Sequence, residues 1–133
     1  MIRTFWGMSI AVFLWAGITQ AQESSINTAL TSNSTKMVLR VLDRVAGARQ
    51  DQSLTAGEAF EIGHLKIIAE QCRYPITNPS GDAFVLLSIT DQREERSLFR
   101  GWMIASSPAL NAFDHPRYDV WPLSCVTESV ETE

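Results

Sequence analysis

Short β-prone runs, separated by glycine, proline and charged residues, make up most of the sequence between residues 37 and 125. In the run from Leu65 to Cys72, apolar Leu65, Ile67 and Ala69 occupy every second position, which is typical of a strand with one buried face. The same kind of reasoning predicts strands at residues 37–47, 59–62, 65–72, 83–90, 97–105 and 118–125.

Two of these runs indicate their position in a sheet. Residues 83–90 carry apolar side chains on both faces of the predicted strand. This pattern predicts a central strand that is covered on both faces. Pro122 cannot donate a backbone hydrogen bond, so the last strand is predicted to run along an edge or to stop early.

One short helix is predicted between the last two strands. A serine, Ser106 or Ser107, could cap its first amides, Pro108 suits its first position, and Pro116 would end it after residues 109–113. The fold class is therefore mainly β, a compact antiparallel β-sandwich or small barrel with one short helix.

Length and charge narrow the class of protein. The chain has 133 residues, which suits one domain, and a formal net charge of -4. Nucleic-acid binding depends largely on neutralising phosphates, and neither the net charge nor any local run of basic residues supplies that.

The first residues predict export. Arg3 precedes an uncharged, largely apolar run over residues 4–18, and Thr19 and Ala21 have the spacing of a signal-peptidase site. We expect a signal peptide at residues 1–21, with a retained membrane anchor as the alternative. A flexible leader at residues 22–36, a β-rich domain at 37–125 and an acidic disordered tail at 126–133 complete the predicted organisation, and after cleavage the chain is not expected to span a membrane.

The two cysteines of the chain, Cys72 and Cys125, predict a disulfide, because an exported small domain folds under oxidising conditions. A catalytic thiol and a metal ligand are the alternatives. The sequence has no C-x-x-C spacing and only two histidines, which disfavours both.

The segment from residue 99 to residue 125 carries most of the chemically versatile side chains. Ser106, His115 and Asp119 provide the residue types of a hydrolase triad, although the Gly-x-Ser-x-Gly elbow is absent. His64 and His115 could meet Asp114 or Asp119 at a metal, but no ligand spacing supports one. We expect no catalytic residues, metal or cofactor.

A binding surface is the stronger prediction for this segment. Tryptophan and arginine are enriched at the centres of protein interfaces, and Arg100 and Trp102 would share one face of a strand. For each tryptophan taken singly, however, filling of the core is the favoured explanation. The candidate binding residues are Trp102, His115, Tyr118, Asp119 and Trp121.

The sequence also resembles a known family. Gly101-Trp102-Met103, the run from Ala105 to Leu110, His115-Pro116, the run from Tyr118 to Trp121, and Cys125 are similar to the signature of an exported alphaproteobacterial family, domain of unknown function 2155. The resemblance covers residues 37–125 and implies a periplasmic, disulfide-closed, β-rich domain. It implies no reaction, cofactor or catalytic residue, and Arg100 and Pro122 fall at its more variable positions.

We therefore expect a periplasmic binding or interaction module, for example an accessory factor of an inner-membrane or envelope assembly. Its partner would be a periplasmic or membrane-complex protein. Two alternatives remain open at this point: a small envelope hydrolase that uses Ser106, His115 and Asp119, and a purely structural domain.

Overall fold

Two antiparallel β-sheets packed face to face form the fold of residues 30–127, the part of the chain that the computed structural model describes. They confirm the predicted mainly β class in its sandwich form, because the sheets do not close into a barrel. The predicted signal peptide, most of the predicted leader and the last residues of the predicted tail lie outside the described residues.

The strands in chain order are β1 Thr31–Ser34, β2 Lys36–Asp43, β3 Ala48–Thr55, β4 Ala59–Ile62, β5 Leu65–Pro75, β6 Phe84–Asp91, β7 Arg96–Ile104 and β8 Tyr118–Val126. Sheet A has the order β1-β5-β6-β7, and β4 pairs with the first half of the long strand β5. Sheet B has the order β3-β2-β8.

The core lies between the two sheets and follows from the period-2 alternation of the strands. Strands β5 and β6 of sheet A contribute every second side chain to it, and β2 and β8 of sheet B do the same. The fully buried side chains include Leu65, Ile67, Val85, Leu87 and Ile89 from sheet A and Met37, Leu39 and Val41 from sheet B.

A disulfide joins the sheets at one end. Cys72 on β5 and Cys125 on β8 are bonded, with their Cα atoms 5.8 Å apart, and both side chains are buried. The predicted cysteine pairing is confirmed. Because β5 belongs to sheet A and β8 to sheet B, this bond links the two layers covalently.

Two strands were not predicted from the sequence. β3 exposes most of its side chains and buries Leu54, so it lacks an alternating apolar pattern. β1 lies within the predicted leader and is held by pairing with the second half of β5. Thr35 then separates β1 in sheet A from β2 in sheet B, so this part of the leader links the two layers.

The strand beginning near residue 83 is central but covered on one face only. β6 lies between β5 and β7, and Val85, Leu87 and Ile89 are buried, whereas Leu86 and Ser88 on its other face are half-buried. The prediction of a doubly covered strand was therefore wrong, because nothing within residues 30–127 packs over the outer face of sheet A.

The last strand lies at an edge of sheet B, as Pro122 predicted. β8 nevertheless continues to Val126, one residue into the predicted tail. A register shift between Val38 and Leu39 makes Leu123 an extra residue, so the strand passes its proline with a bulge and then resumes pairing.

The connection between β7 and β8, residues 105–117, is named here the crossing segment because it passes from sheet A to sheet B. The predicted helix is one 3-10 helix, Pro108–Asn111, with the proline at its start as expected. Ser107 at its N-cap makes no side-chain capping hydrogen bond, so the predicted capping was wrong. Phe113, buried beyond the helix, anchors the segment in the core.

No helix within residues 30–127 is both long and apolar enough to cross a bilayer.

Candidate functional site

The predicted binding residues lie in three places. Trp102 on β7 points outward from sheet A, because it alternates with buried Met103. Asp119 and Trp121 on β8 point outward from sheet B, because they alternate with buried residues of that strand. The two tryptophans therefore face away from the core on different sheets and do not form one surface, so the expectation that each fills the core was wrong.

Trp102 is the accessible aromatic side chain of sheet A, with 37% of its surface exposed. Leu86 is its cross-strand neighbour on β6. Ile68 lies on the outward-facing side of β5, and Ile104 follows Trp102 on the same side of β7. We name the outer surface formed by these four residues the Trp102 face.

A charged network borders the Trp102 face. Glu70 accepts hydrogen bonds from Arg100 Nε at 3.2 Å and Arg100 Nη2 at 3.0 Å, and the Ser88 hydroxyl also donates to it. The hydrogen bonds from Arg100 and Ser88 lower the pKa of Glu70, so this carboxylate stays ionised. The network connects β5, β6 and β7 and holds the guanidinium in one orientation.

The backbone beside Trp102 is fixed from the crossing segment. Asn111 Nδ2 donates to the Trp102 carbonyl oxygen at 2.9 Å and lies over Gly101. A Cβ atom at Gly101 would be 2.7 Å from that nitrogen. Because Gly101 has no Cβ atom, it leaves room for this close approach of Asn111.

A shallow groove of about 300 Å³ lies between the crossing segment and β8. Its lining is mostly apolar and includes Pro108, Ala112, Phe113, Asp119 and Trp121. Two predicted binding residues thus line one groove. The Asp119 carboxylate lies 3.3 Å from Arg44 Nε.

His115 and Tyr118 belong to a third place, which we name the histidine end and define as His64, Asp91, His115 and Tyr118. The His115 ring is stacked between those of Phe113 and Tyr118, with both pairs of ring centroids 5.5 Å apart. Tyr118 is 3% exposed and packs in the core. The Tyr118 ring therefore serves to fill the core. Little of its surface is accessible to a partner.

The hydrogen bonds of His115 are directed into its own turn. Nδ1 accepts from the backbone amides of Arg117 at 3.2 Å and Tyr118 at 3.1 Å. The His115 carbonyl accepts from Arg44 Nη2, which connects the turn to the β2–β3 hairpin. Arg117 in turn pairs with Asp43, with 2.7 Å between Nη2 and Oδ2.

His64 and Asp91 complete the histidine end from sheet A. His64 Nε2 lies 3.3 Å from Asp91 Oδ2, and the His64 and His115 ring centroids are 5.9 Å apart. Burial alone would raise the pKa of Asp91. The hydrogen bonds from the Arg93 and Glu94 amides, together with the neighbouring His64, outweigh burial and lower this pKa. Burial lowers the pKa of His115, and the neighbouring His64 adds to this shift.

The three residues of the hydrolase alternative each have another partner. The Ser106 hydroxyl donates to Asp82 Oδ2 at 2.7 Å, His115 accepts the two amides at Nδ1, and Asp119 pairs with Arg44. In a triad the serine would donate to the histidine, and the histidine Nδ1 would donate to the acid. Since Nδ1 is already an acceptor here, this geometry does not support a triad.

The metal alternative has no ligand set within residues 30–127. The two histidines do come together, but no group of three or more His, Cys, Asp or Glu side chains among these residues is arranged to hold an ion. Asp91, to which the sequence did not point, lies beside His64, and Asp114 is close to His115, whereas Asp119 pairs with Arg44.

Sequence analysis missed four residues that organise these places: Glu70, Asp91, Asn111 and Arg44. The contacts of Glu70, Asp91 and Arg44 join segments that are far apart along the chain, and Asn111 contacts Trp102 in the preceding strand. No local motif marks any of the four. The alternation along β5 did place Glu70 on an outward-facing position, which was the one available signal.

The fold and its candidate surfaces define a class, a disulfide-linked antiparallel β-sandwich without a recognisable catalytic constellation in its described residues. The chain belongs to the family described as an uncharacterized protein conserved in bacteria (DUF2155), whose model matches residues 37–125. An uncharacterized protein from Rickettsia prowazekii (strain Madrid E) is 29% identical over 107 residues, which is 78% of this chain and 69% of that relative. No solved structure gave a significant match.

Proposed function

We propose that this protein is exported to the periplasm and acts there as a binding module for another protein, which contacts the Trp102 face. The observation that carries the proposal is Trp102 itself, a large aromatic side chain exposed on a sheet whose outer surface is otherwise well ordered by cross-strand contacts. Aromatic and arginine side chains at the centre of a patch are the residues that contribute most to protein–protein affinity.

The composition of the Trp102 face favours a protein partner. Its centre consists of Leu86 and Trp102, with Ile68 and Ile104 beside them, and its border is the Glu70–Arg100 pair. An apolar centre with a polar rim is the usual anatomy of a protein interface. Two of the five N–H donors of Arg100 are used by Glu70, so the exposed guanidinium retains donors for a carboxylate of the partner.

The surface is also organised before binding. Asn111 fixes the backbone at Trp102, and Glu70 fixes Arg100. Side chains that are already ordered lose less conformational entropy when a partner binds, so more of the contact energy appears as affinity. A partner with an apolar patch beside a carboxylate fits this arrangement.

Export is supported by two observations. The N-terminal sequence has the charge, apolar run and small residues of a signal peptide. The buried disulfide between Cys72 and Cys125 is of the kind that forms and persists outside the reducing cytosol. An accessory factor of an inner-membrane or envelope assembly is a specific form of this proposal.

Site-specific photo-crosslinking in intact cells tests the contact. A photoreactive phenylalanine at position 102 should give a discrete crosslinked protein, whereas the same group at exposed Ser53 on β3 should not. Both positions lie on exposed strand surfaces, but Ser53 belongs to sheet B. Equal crosslinking from the two positions, or none from position 102, would contradict the proposal.

Substitution separates an interface from a structural contribution. Arg100→Ala should abolish the crosslink that forms from position 102, and Trp102→Ala should abolish co-purification of the same partner, while the melting temperature of each variant stays close to that of the wild type. Trp121→Phe is the matched control, because it alters a tryptophan on the other sheet. A large fall in melting temperature for Trp102→Phe, with the complex retained, would favour the purely structural alternative.

A further inference from the structure

The crossing segment is attached to the histidine end through an unusual use of one histidine. His115 Nδ1 accepts two backbone amides at once, those of Arg117 and Tyr118. A neutral imidazole that accepts at Nδ1 carries its proton on Nε2. A second proton would therefore have to enter at Nδ1, between two N–H groups that already point at it.

Protonation would remove both hydrogen bonds, because an N–H group at Nδ1 can only donate. It would also place a charge on a side chain that is partly shielded from water, which burial disfavours. The loss of the two hydrogen bonds weakens the turn that leads from the crossing segment into β8.

The charged groups around His115 come from both sheets and from its own segment. His64 from the β4–β5 turn and Arg44 from the β2–β3 hairpin oppose a positive charge, while Asp91 from β6 and Asp114 favour one. Arg117 faces Tyr118, with its guanidinium carbon 5.1 Å from the ring centroid, and is itself paired with Asp43. Asp91 thus has partners of its own in His64 and two backbone amides, and Asp114 is exposed.

We propose that His115 is an acid-sensitive latch: its protonation releases residues 113–117 from the end of the sandwich. Phe113, which is 5% exposed and anchors the crossing segment, is the side chain that would leave the core. The change widens the groove between this segment and β8. The proposal does not depend on the Trp102 face or on the cellular location of the protein.

The direction of the pH dependence follows from the environment of His115. Burial lowers the pKa of His115, so the folded protein binds this proton less readily than the unfolded chain does. The stabilisation is complete above the unfolded value of about 6.5 and is lost as the pH falls through the lower folded value.

NMR of the full-length or signal-cleaved protein between pH 7.5 and 4.5 tests the latch. The ring nitrogens of His115 should show the Nε2–H tautomer at pH 7.5, with a midpoint of titration below 6.5. The amide protons of Arg117 and Tyr118 should shift upfield with the same midpoint as their hydrogen bonds are lost. Amide resonances that stay in place while the ring titrates would overturn the proposal.

Two variants sharpen this test. His115→Asn retains an acceptor near the position of Nδ1 and cannot be protonated there, so its Arg117 and Tyr118 amides should not shift between pH 7.5 and 4.5. If they shift as in the wild type, the latch is elsewhere. His64→Gln removes a repelling neighbour and should raise the midpoint of His115, a result that stands even if the first variant does not fold.

Discussion

The two ends of the sandwich hold the same two sheets together by different chemistry. At one end, a buried disulfide joins β5 to β8. At the other, His64 from sheet A and His115 from the crossing segment have ring centroids 5.9 Å apart, and His115 stacks on Tyr118 of sheet B. The first closure is insensitive to pH and depends on oxidation, whereas the second contains several titratable groups. A change in conditions should therefore open one end without opening the other.

The disulfide end should give the largest change in stability. Replacing both cysteines by alanine, Cys72→Ala with Cys125→Ala, removes a cross-link between residues 53 positions apart. The loop-entropy model predicts a loss of about 4 kcal/mol in the free energy of unfolding. Urea unfolding measures it, and reduced wild-type protein should show the same loss; an unchanged midpoint in either would contradict the covalent part of the comparison.

Next to the histidine end, Phe113→Ala should lower the free energy of unfolding by about 3 kcal/mol, because it removes a buried ring that anchors the crossing segment. The matched control is Leu110→Ala in the same segment, where the side chain is exposed and the expected change is within about 0.5 kcal/mol. Urea unfolding of the two variants measures both changes in the free energy of unfolding. Equal, small losses would mean that the crossing segment does not help to close the sandwich.

Gly63→Ala tests how closely the histidine end is packed. Gly63 has a φ of +58°, and a Cβ there would lie 2.6 Å from the Tyr118 hydroxyl oxygen. Gly47 has a similar φ of +66°, and a Cβ there would meet no other atom within 4 Å, so Gly47→Ala isolates the backbone strain. We expect a loss of about 1 kcal/mol at Gly47 and about 2 kcal/mol at Gly63. Identical thermal shifts would show that Tyr118 can move at no cost.

The smallest effect concerns the Asp43–Arg117 pair. The Arg117 hydrogen bonds lower the pKa of Asp43 to about 2. Its stabilisation is present above the unfolded pKa near 4 and is lost as the pH falls through 2. Asp43→Asn should therefore be less stable than the wild type at pH 7, with the difference closing toward pH 2 in thermal melts. Arg117→Gln should behave in the same way, and a constant difference across this pH range would argue against the pair.

The sequence predicted the strands that face the core because burial imposes an alternation that is visible residue by residue. Leu65, Ile67 and Ala69 on β5 are the clearest case, and all three are buried. The same logic failed for β3 and β1, which are held mainly by backbone pairing with β2 and β5. Main-chain hydrogen bonds leave little trace in side-chain identity, so polar edge strands are hard to predict.

The candidate surfaces show a similar division. The disulfide was predictable from the presence of two cysteines in a chain with a predicted export signal. The outward position of Trp102 was not, because core filling was favoured for each tryptophan taken singly. The separation of Trp102 from Trp121 on different sheets was not predictable, because it depends on which sheet each strand joins. Ser106 was predicted to cap a helix, and it instead binds Asp82 across a loop.

By itself, the sequence determined the β class, the cysteine pair and the family, because each is written in local periodicity or in residue identity. The tertiary structure alone decided that His64, Asp91 and His115 meet, and that Glu70 and Asn111 order the surface around Trp102. The histidines meet only after the two sheets have packed together, and the Glu70–Arg100 pair forms only after β5, β6 and β7 have paired, because these residues are distant in the chain.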